Sequence, residues 1–225
     1  PRPGKIEYRW AHFRPGEDPA ALTKIVEFND LAAVERALRD EDVAVLLTEP
    51  FLTDGGFTMP REGWHEGLRE LCTRYGTLLL IDETPTQTSG LTREWGLRPD
   101  IWVSGKSIGA GLPVGVMGLK EEPARKWQAL LDSFTPWGMC GLTGQGTTNS
   151  ANMLCLRALR LSLEHNYTDA TFAKMFASMN HLERGMQRVI EKHGAPFRVD
   201  AVGARLNVTF TPDVFKCSVD IVGPS

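Results

Sequence analysis

An acid and a lysine close two apolar runs of this sequence. Leu78-Leu79-Leu80-Ile81 leads into Asp82-Glu83. Pro99-Asp100-Ile101-Trp102-Val103-Ser104-Gly105 leads into Lys106, followed by the glycine-rich Ser107-Ile108-Gly109-Ala110-Gly111-Leu112-Pro113. If both runs are strands, Asp82 and Lys106 stand at C-terminal strand ends, where open α/β sheets bind ligands. A lysine there can condense with a carbonyl, and a carboxylate can hold a heteroaromatic nitrogen protonated. The pair therefore suits pyridoxal 5'-phosphate. Glycines around the lysine let a flat group approach the backbone. Two plainer readings stay open. Lys106 also fits a phosphate-binding or surface lysine in a glycine-rich turn. Asp82 also fits a strand-end acid that caps a turn, or a metal ligand. Neither G-x-G-x-x-G nor G-x-x-x-x-G-K-[ST] occurs, which argues against a nucleotide loop.

The remaining polar candidates are weaker. Glu49-Pro50 and Glu83 follow apolar runs and read as loop-fixing acids. The loop Gly144-Gln145-Gly146-Thr147-Thr148-Asn149-Ser150-Ala151-Asn152 precedes a helix, so its hydroxyls and backbone N–H groups suit an anion or, more simply, a helix cap. The histidines share no spacing, and no Ser-His-Asp set is apparent. Cys72, Cys140, Cys155 and Cys217 are scattered without metal spacing. That pattern predicts reduced thiols and a cytoplasmic protein rather than a disulfide framework.

The elements that must position these residues follow from periodicity. Lys24 to Phe28 is a strand candidate. Asn29-Asp30 caps a helix from about Leu31 to Arg39. Val43 to Leu47 is a continuous apolar run, as in a strand covered on both faces. A helix from Arg61 to Tyr75 places Trp64, Leu68 and Leu71 on one side and closes at Gly76. Strands follow at Thr77 to Ile81, Ile101 to Ser104 and Val114 to Leu119. Strand, helix, strand at this spacing predicts βαβ units and a mainly parallel sheet. Farther on, helices are predicted over Glu121 to Ser133, Asn149 to His165 and Thr168 to His193, with a loop over Phe134 to Thr148. The strands Val199 to Gly203 and Arg205 to Thr211 open a smaller unit. The predicted division is a large domain over 1–165, then an inter-domain helix and the start of a small domain over 166–225.

With 225 residues, 42% hydrophobic, 24% charged and a net charge of −3, the composition is globular and offers no electrostatic footprint for nucleic acid or a membrane surface. No apolar run reaches bilayer length.

Taken together, these segments resemble the class III, fold-type I pyridoxal-phosphate-dependent aminotransferases, in the branch that includes glutamate-1-semialdehyde aminomutase. The resemblance rests on Glu49-Pro50, on Arg69-Glu70-Leu71-Cys72-x-x-Tyr75-Gly76-x-Leu78-Leu79-Leu80-Ile81-Asp82-Glu83-Thr84, and on Pro99-Asp100-x-x-x-x-Gly105-Lys106-x-x-Gly109-x-Gly111-Leu112-Pro113-x-Gly115. Thr148-Asn149-Ser150-Ala151-Asn152 resembles the family's Thr-x-Ser-Gly-Asn segment. The resemblance implies a three-layer α/β/α fold with a mainly parallel sheet and the start of a small α+β C-terminal domain. It implies that Lys106 forms the Schiff base, Asp82 pairs with the pyridinium nitrogen and Thr84 packs on the ring face. It also implies that Thr148, or Thr147 if the register slips by one, binds the phosphate of a cofactor held mainly by the other subunit, hence a homodimer. The activity implied is aminotransfer between a small amino acid or amine and a keto acid. An aminomutase, an epimerase or a non-catalytic fold-type I fragment are the alternatives.

Three departures accompany the resemblance. Family members are roughly twice as long, and the segments matching their phosphate-cradling Gly-Ser-x-Ala turn and ring-stacking aromatic are absent. Most of the C-terminal domain is absent as well. Pro85 stands three residues after the aspartate, where the family has a hydrogen-bonding residue, and a proline side chain offers no such group. The expectation drawn from these is a fragment, or an ordered subset, of a longer protein.

Overall fold

Short-range signals set most of the elements. The computed structural model describes residues 22–54, 56–133 and 150–216. The Asp30 carboxylate accepts from the Ala33 N–H at 2.8 Å and starts α1, Leu31–Leu38. Helix α2 spans Trp64–Arg74. Gly76, at φ 65°, ends it in a left-handed turn that L side chains resist, and the Thr77 N–H returns to the Cys72 carbonyl at 2.9 Å. Helix α3 covers Glu121–Ser133. Asn152 caps α4, Met153–His165, and Thr168 caps α5, Asp169–His193.

The strands form two sheets. The first, in the order β1 (Val45–Thr48), β2 (Leu78–Asp82), β3 (Ile101–Gly105), β4 (Gly115–Leu119), is parallel across β1, β2 and β3 and antiparallel at β4. The second is the antiparallel hairpin β5 (Arg198–Val202) and β6 (Arg205–Thr209). The expected α/β class with a mainly parallel sheet is the one observed.

One face of the first sheet is closed. Leu79 and Ile81 of β2 pack with Val34 and Leu38 of α1 and with Trp64, Leu68, Leu71 and Cys72 of α2. Phe28 completes the cluster, its ring 5.0 Å from Trp64. Each such aliphatic side chain contributes about 1.5–3 kcal/mol by leaving water. Asp100 ties the opposite, N-terminal end of β2 together. Its carboxylate accepts from the Leu79 N–H at 2.8 Å, from Arg69 at 2.6 Å and from Lys120 at 3.0 Å.

Two expectations need correction. Lys24 to Phe28 forms no strand. Phe28 is drawn into the core against α2, and the Lys24 ammonium bonds the Ala37 carbonyl at 3.0 Å, so the segment serves α1 rather than a sheet edge. The run from Val43 predicts cover on both faces of β1, yet Val45 is 39% and Leu47 66% exposed. An apolar run shows that a strand can be covered, not that the described residues supply the cover.

Candidate active site

Strand register places the acid beside the lysine. In the parallel β2–β3 pair Asp82 lies opposite Val103, so the strand ending at Asp82 and the one ending at Gly105, just before Lys106, finish side by side. Side chains alternate along a strand. Leu79 and Ile81 face the α1–α2 core, so Leu78, Leu80 and Asp82 share the other face, paired with Val45 and Leu47 of β1. Gly105 follows Ile101 and Val103 onto that same face. A Cβ on Gly105 would stand 3.0 Å from the Val114 carbonyl oxygen and 3.7 Å from the Thr84 methyl. Glycine therefore keeps the surface between Asp82 and Lys106 flat.

The lysine turn is conformationally unusual. Lys106 has φ 53°, left-handed for a residue with a long side chain, at a cost of about 1 kcal/mol. It opens a 3₁₀ turn through Gly109, which ends with Ala110, also left-handed at φ 51°. The Lys106 side chain is exposed, while Ile108 beneath it is buried.

Ties from elsewhere hold the surroundings. One Asp82 oxygen, Oδ1, accepts from the Thr84 N–H at 2.7 Å. The other accepts no hydrogen bond among the described residues. The Trp102 indole donates to Glu83 Oε2 at 2.8 Å, and Ser104 bonds Gln87. Pro85, where the family has a hydrogen-bonding side chain, offers its carbonyl to Arg205, which also reaches the Thr88 hydroxyl at 3.1 Å. Ser107 and Tyr167 join through their hydroxyls at 2.6 Å. Glu49 accepts from the Thr53 N–H and hydroxyl, both at 2.9 Å, which makes it a loop-fixing acid. Burial raises its pKa, helped by the negative charges of Asp54 and Asp82 and opposed by the Thr53 hydrogen bonds.

Of the residues singled out by sequence, Asp82, Thr84 and Lys106 come together at one end of the sheet. Thr147 and Thr148 lie outside the described residues, as do Cys140, Cys217 and the predicted loop over Phe134 to Thr148. Cys72 is a core thiol whose burial pushes its pKa up to about 11, far from a reactive thiolate. Among the described residues no group of three or more His, Cys, Asp and Glu side chains could hold a metal ion. Sequence reading missed Gln87, Tyr167 and Arg205, which meet the site only through the fold. The reading that no G-x-S-x-G elbow is present is also corrected, since Gly105 to Gly109 spell that pattern. Ser107 there bonds a tyrosine, not a histidine base.

These residues fit a planar, protonated-nitrogen cofactor with an aldehyde. Among the described residues one Asp82 oxygen accepts no hydrogen bond, Lys106 is exposed at the adjacent strand end, and Gly105 between them lacks a Cβ. An open α/β sheet with an acid and a lysine at adjacent strand ends defines the fold-type I class of pyridoxal-phosphate enzymes. The comparisons agree. The aminotransferase class-III family model matches residues 6–219, and the chain belongs to that family. Pyridoxal 5'-phosphate comes with the family as its cofactor.

The chain is 32% identical over 202 residues to the glutamate-1-semialdehyde 2,1-aminomutase of Natranaerobius thermophilus, covering 86% of this chain and 45% of that protein. Over 206 residues it is 32% identical to the same-named protein of Myxococcus xanthus, with 86% and 44% coverage. Among solved structures, a glutamate-1-semialdehyde aminomutase from Pseudomonas aeruginosa PAO1 superimposes with a TM-score of 0.82 at 36% identity, over 96% of this chain and 50% of that one. A variant of an aminomutase from that organism, solved with PMP, gives 0.81 at 35%. The β-phenylalanine aminotransferase of Variovorax paradoxus, at 22% identity and a TM-score of 0.70 over 88% of this chain and 45% of that one, shares the fold. The chain thus spans about half the length of the relatives it matches. No helix among the described residues is long and apolar enough to cross a membrane.

Proposed function

We propose that this chain supplies the catalytic lysine and the ring-nitrogen carboxylate of a pyridoxal-phosphate enzyme that relocates an amino group, of the glutamate-1-semialdehyde aminomutase type. The observation that carries the reading is the placement of Asp82 and Lys106 at adjacent parallel strand ends, with Gly105 leaving the space between them open. The sequence put transfer between an amino donor and a keto acceptor first, with the aminomutase as its alternative. The relatives named above favour the alternative.

In this reading Lys106 Nζ would hold the cofactor through its aldehyde, and the Lys106 amine would serve as the general base and acid for the proton at the substrate carbon. Asp82 accepts a hydrogen bond from the ring N–H through its open oxygen and keeps that nitrogen protonated. Pyridoxal phosphate itself supplies the electron sink that makes the carbon–hydrogen bond acidic. Thr84, beside Gly105, packs on the ring face, and Thr148 or Thr147 reaches the phosphate held by a second subunit, so the working form is a homodimer. The scattered cysteines support a cytoplasmic location.

The reading is tested with the protein loaded with cofactor and given glutamate 1-semialdehyde as the sole substrate. Sustained turnover without any keto acid is the expected result. A strict need for an added keto acid would return the transaminase reading to first place.

A further inference from the structure

Lys106 is held at φ 53° at the start of a 3₁₀ turn that buries Ile108. Two hydrogen bonds from distant parts of the chain flank it. On the N-terminal side, Ser104 is tied to Gln87, in the 3₁₀ turn that follows β2. On the C-terminal side, the Ser107 hydroxyl bonds the Tyr167 phenol at 2.6 Å, across 60 residues of sequence. Gln87 and Tyr167 line one cavity of about 260 Å³ behind the strand end, together with Glu83, Trp102 and Phe172.

Tyr167 is well placed to act as a fixed post. Its N–H bonds the Ser162 carbonyl at 3.1 Å at the end of α4. Its ring packs edge-on against Phe172 of α5, with centroids 5.9 Å apart, and Phe172 is itself buried. The α4–α5 junction therefore fixes the phenol before it meets Ser107. A left-handed φ at lysine relaxes toward negative values unless its neighbours hold it, and such a rotation swings the side chain away from Asp82.

We propose that Tyr167 is a positioning residue: through Ser107 its hydroxyl holds the left-handed turn that presents the Lys106 amine beside Asp82. This rests on the reading of Lys106 as the cofactor lysine.

The test compares the parent protein with Tyr167→Phe, Ser107→Ala, the double variant and Ser107→Thr. Two quantities are read: amide hydrogen exchange over residues 104–111 without cofactor, and the rate at which pyridoxal phosphate becomes reducibly bound to Lys106. Tyr167→Phe keeps the ring and should lower the melting temperature by only about 2–4 °C, the scale of one hydrogen bond in a chain of this size. It should speed exchange and slow capture about tenfold, the scale of one hydrogen bond. Ser107→Ala should do the same, the double variant no more, and Ser107→Thr, which keeps the hydroxyl, should restore both. Unchanged exchange in Tyr167→Phe would overturn the tie. Faster exchange with an unchanged capture rate would also overturn the proposal, because the tie would then be structural only. A parent protein that binds no cofactor at Lys106 would refute the cofactor reading, and the positioning role with it, even with the exchange difference present.

Discussion

At the residue scale, the proposed function assigns different work to two side chains. In it Lys106 contributes a nucleophilic amine, and nothing else at the strand ends replaces it among the described residues. Lys106→Ala should abolish covalent cofactor capture and lower turnover by on the order of 10²-fold or more, while circular dichroism stays that of the parent. Turnover at the parent rate would reassign the lysine. Asp82 contributes charge. Asp82→Asn should still bind cofactor but lose about 10²–10³-fold in rate, as when one preorganised electrostatic partner is removed. An unchanged rate would mean that the ring nitrogen pairs elsewhere. The strand-end positions of both were legible in the sequence because an apolar strand ending in a charged group is a local pattern. Tyr167 was not legible, because its partner Ser107 is brought to it only by the packing of α4 against the lysine turn.

At the element scale, the site end of the sheet depends on anchors remote from it. Asp100 ties β2, β3 and α2 at the other end. Its burial alone would raise its pKa, but the Leu79 N–H, Arg69 and Lys120 outweigh that and hold it below the usual carboxylate value. A carboxylate whose folded pKa is depressed stabilises the fold above its unfolded pKa, near 3.9. That stabilisation is lost as pH falls through the folded value. Urea melts from pH 7 to pH 3 should show the parent losing stability at the acid end. Asp100→Asn should be less stable by about 1–3 kcal/mol at pH 7, with a flatter acid limb. Equal acid limbs would show that Asp100 carries none of this dependence.

The tip of the β5–β6 hairpin is a second anchor. Gly203 has φ 59°, and a Cβ there would fall 2.0 Å from the Ser89 carbonyl oxygen, in the turn that follows Asp82. Gly203→Ala should therefore destabilise by about 1–3 kcal/mol, measured by the same melts. A neutral effect would mean that the hairpin does not bear on that turn. Caps made these helices easy to find: Asp30 and Thr168 each announce a start, and Gly76 and Gly194 a stop. The hairpin's contact with residues 85–89 carries no such local mark. The segment from Lys24 misled because alternation in a short apolar run does not say whether its partner is a strand or a helix.

At the scale of the whole molecule, the apolar surface is unevenly covered. Val45 and Leu47 of β1, and Met153 and Leu154 at the start of α4, are exposed. Apolar groups in such number stand open to water at a cost that further contacts would offset. The sequence marked Val45 and Leu47 as covered because an apolar run reports the demand for cover, not its source. With the homodimer proposed above, sedimentation equilibrium of the cofactor-loaded protein should give twice the monomer mass. A monomer with full activity would contradict the shared phosphate site.

The measurement that bears most directly on the central claim is borohydride reduction of the purified protein mixed with pyridoxal phosphate, followed by peptide mass mapping. The account predicts a phosphopyridoxyl group on the peptide containing Lys106, absent from Lys106→Ala. A folded, homogeneous protein that carries no adduct there, or carries it on another lysine, would contradict it.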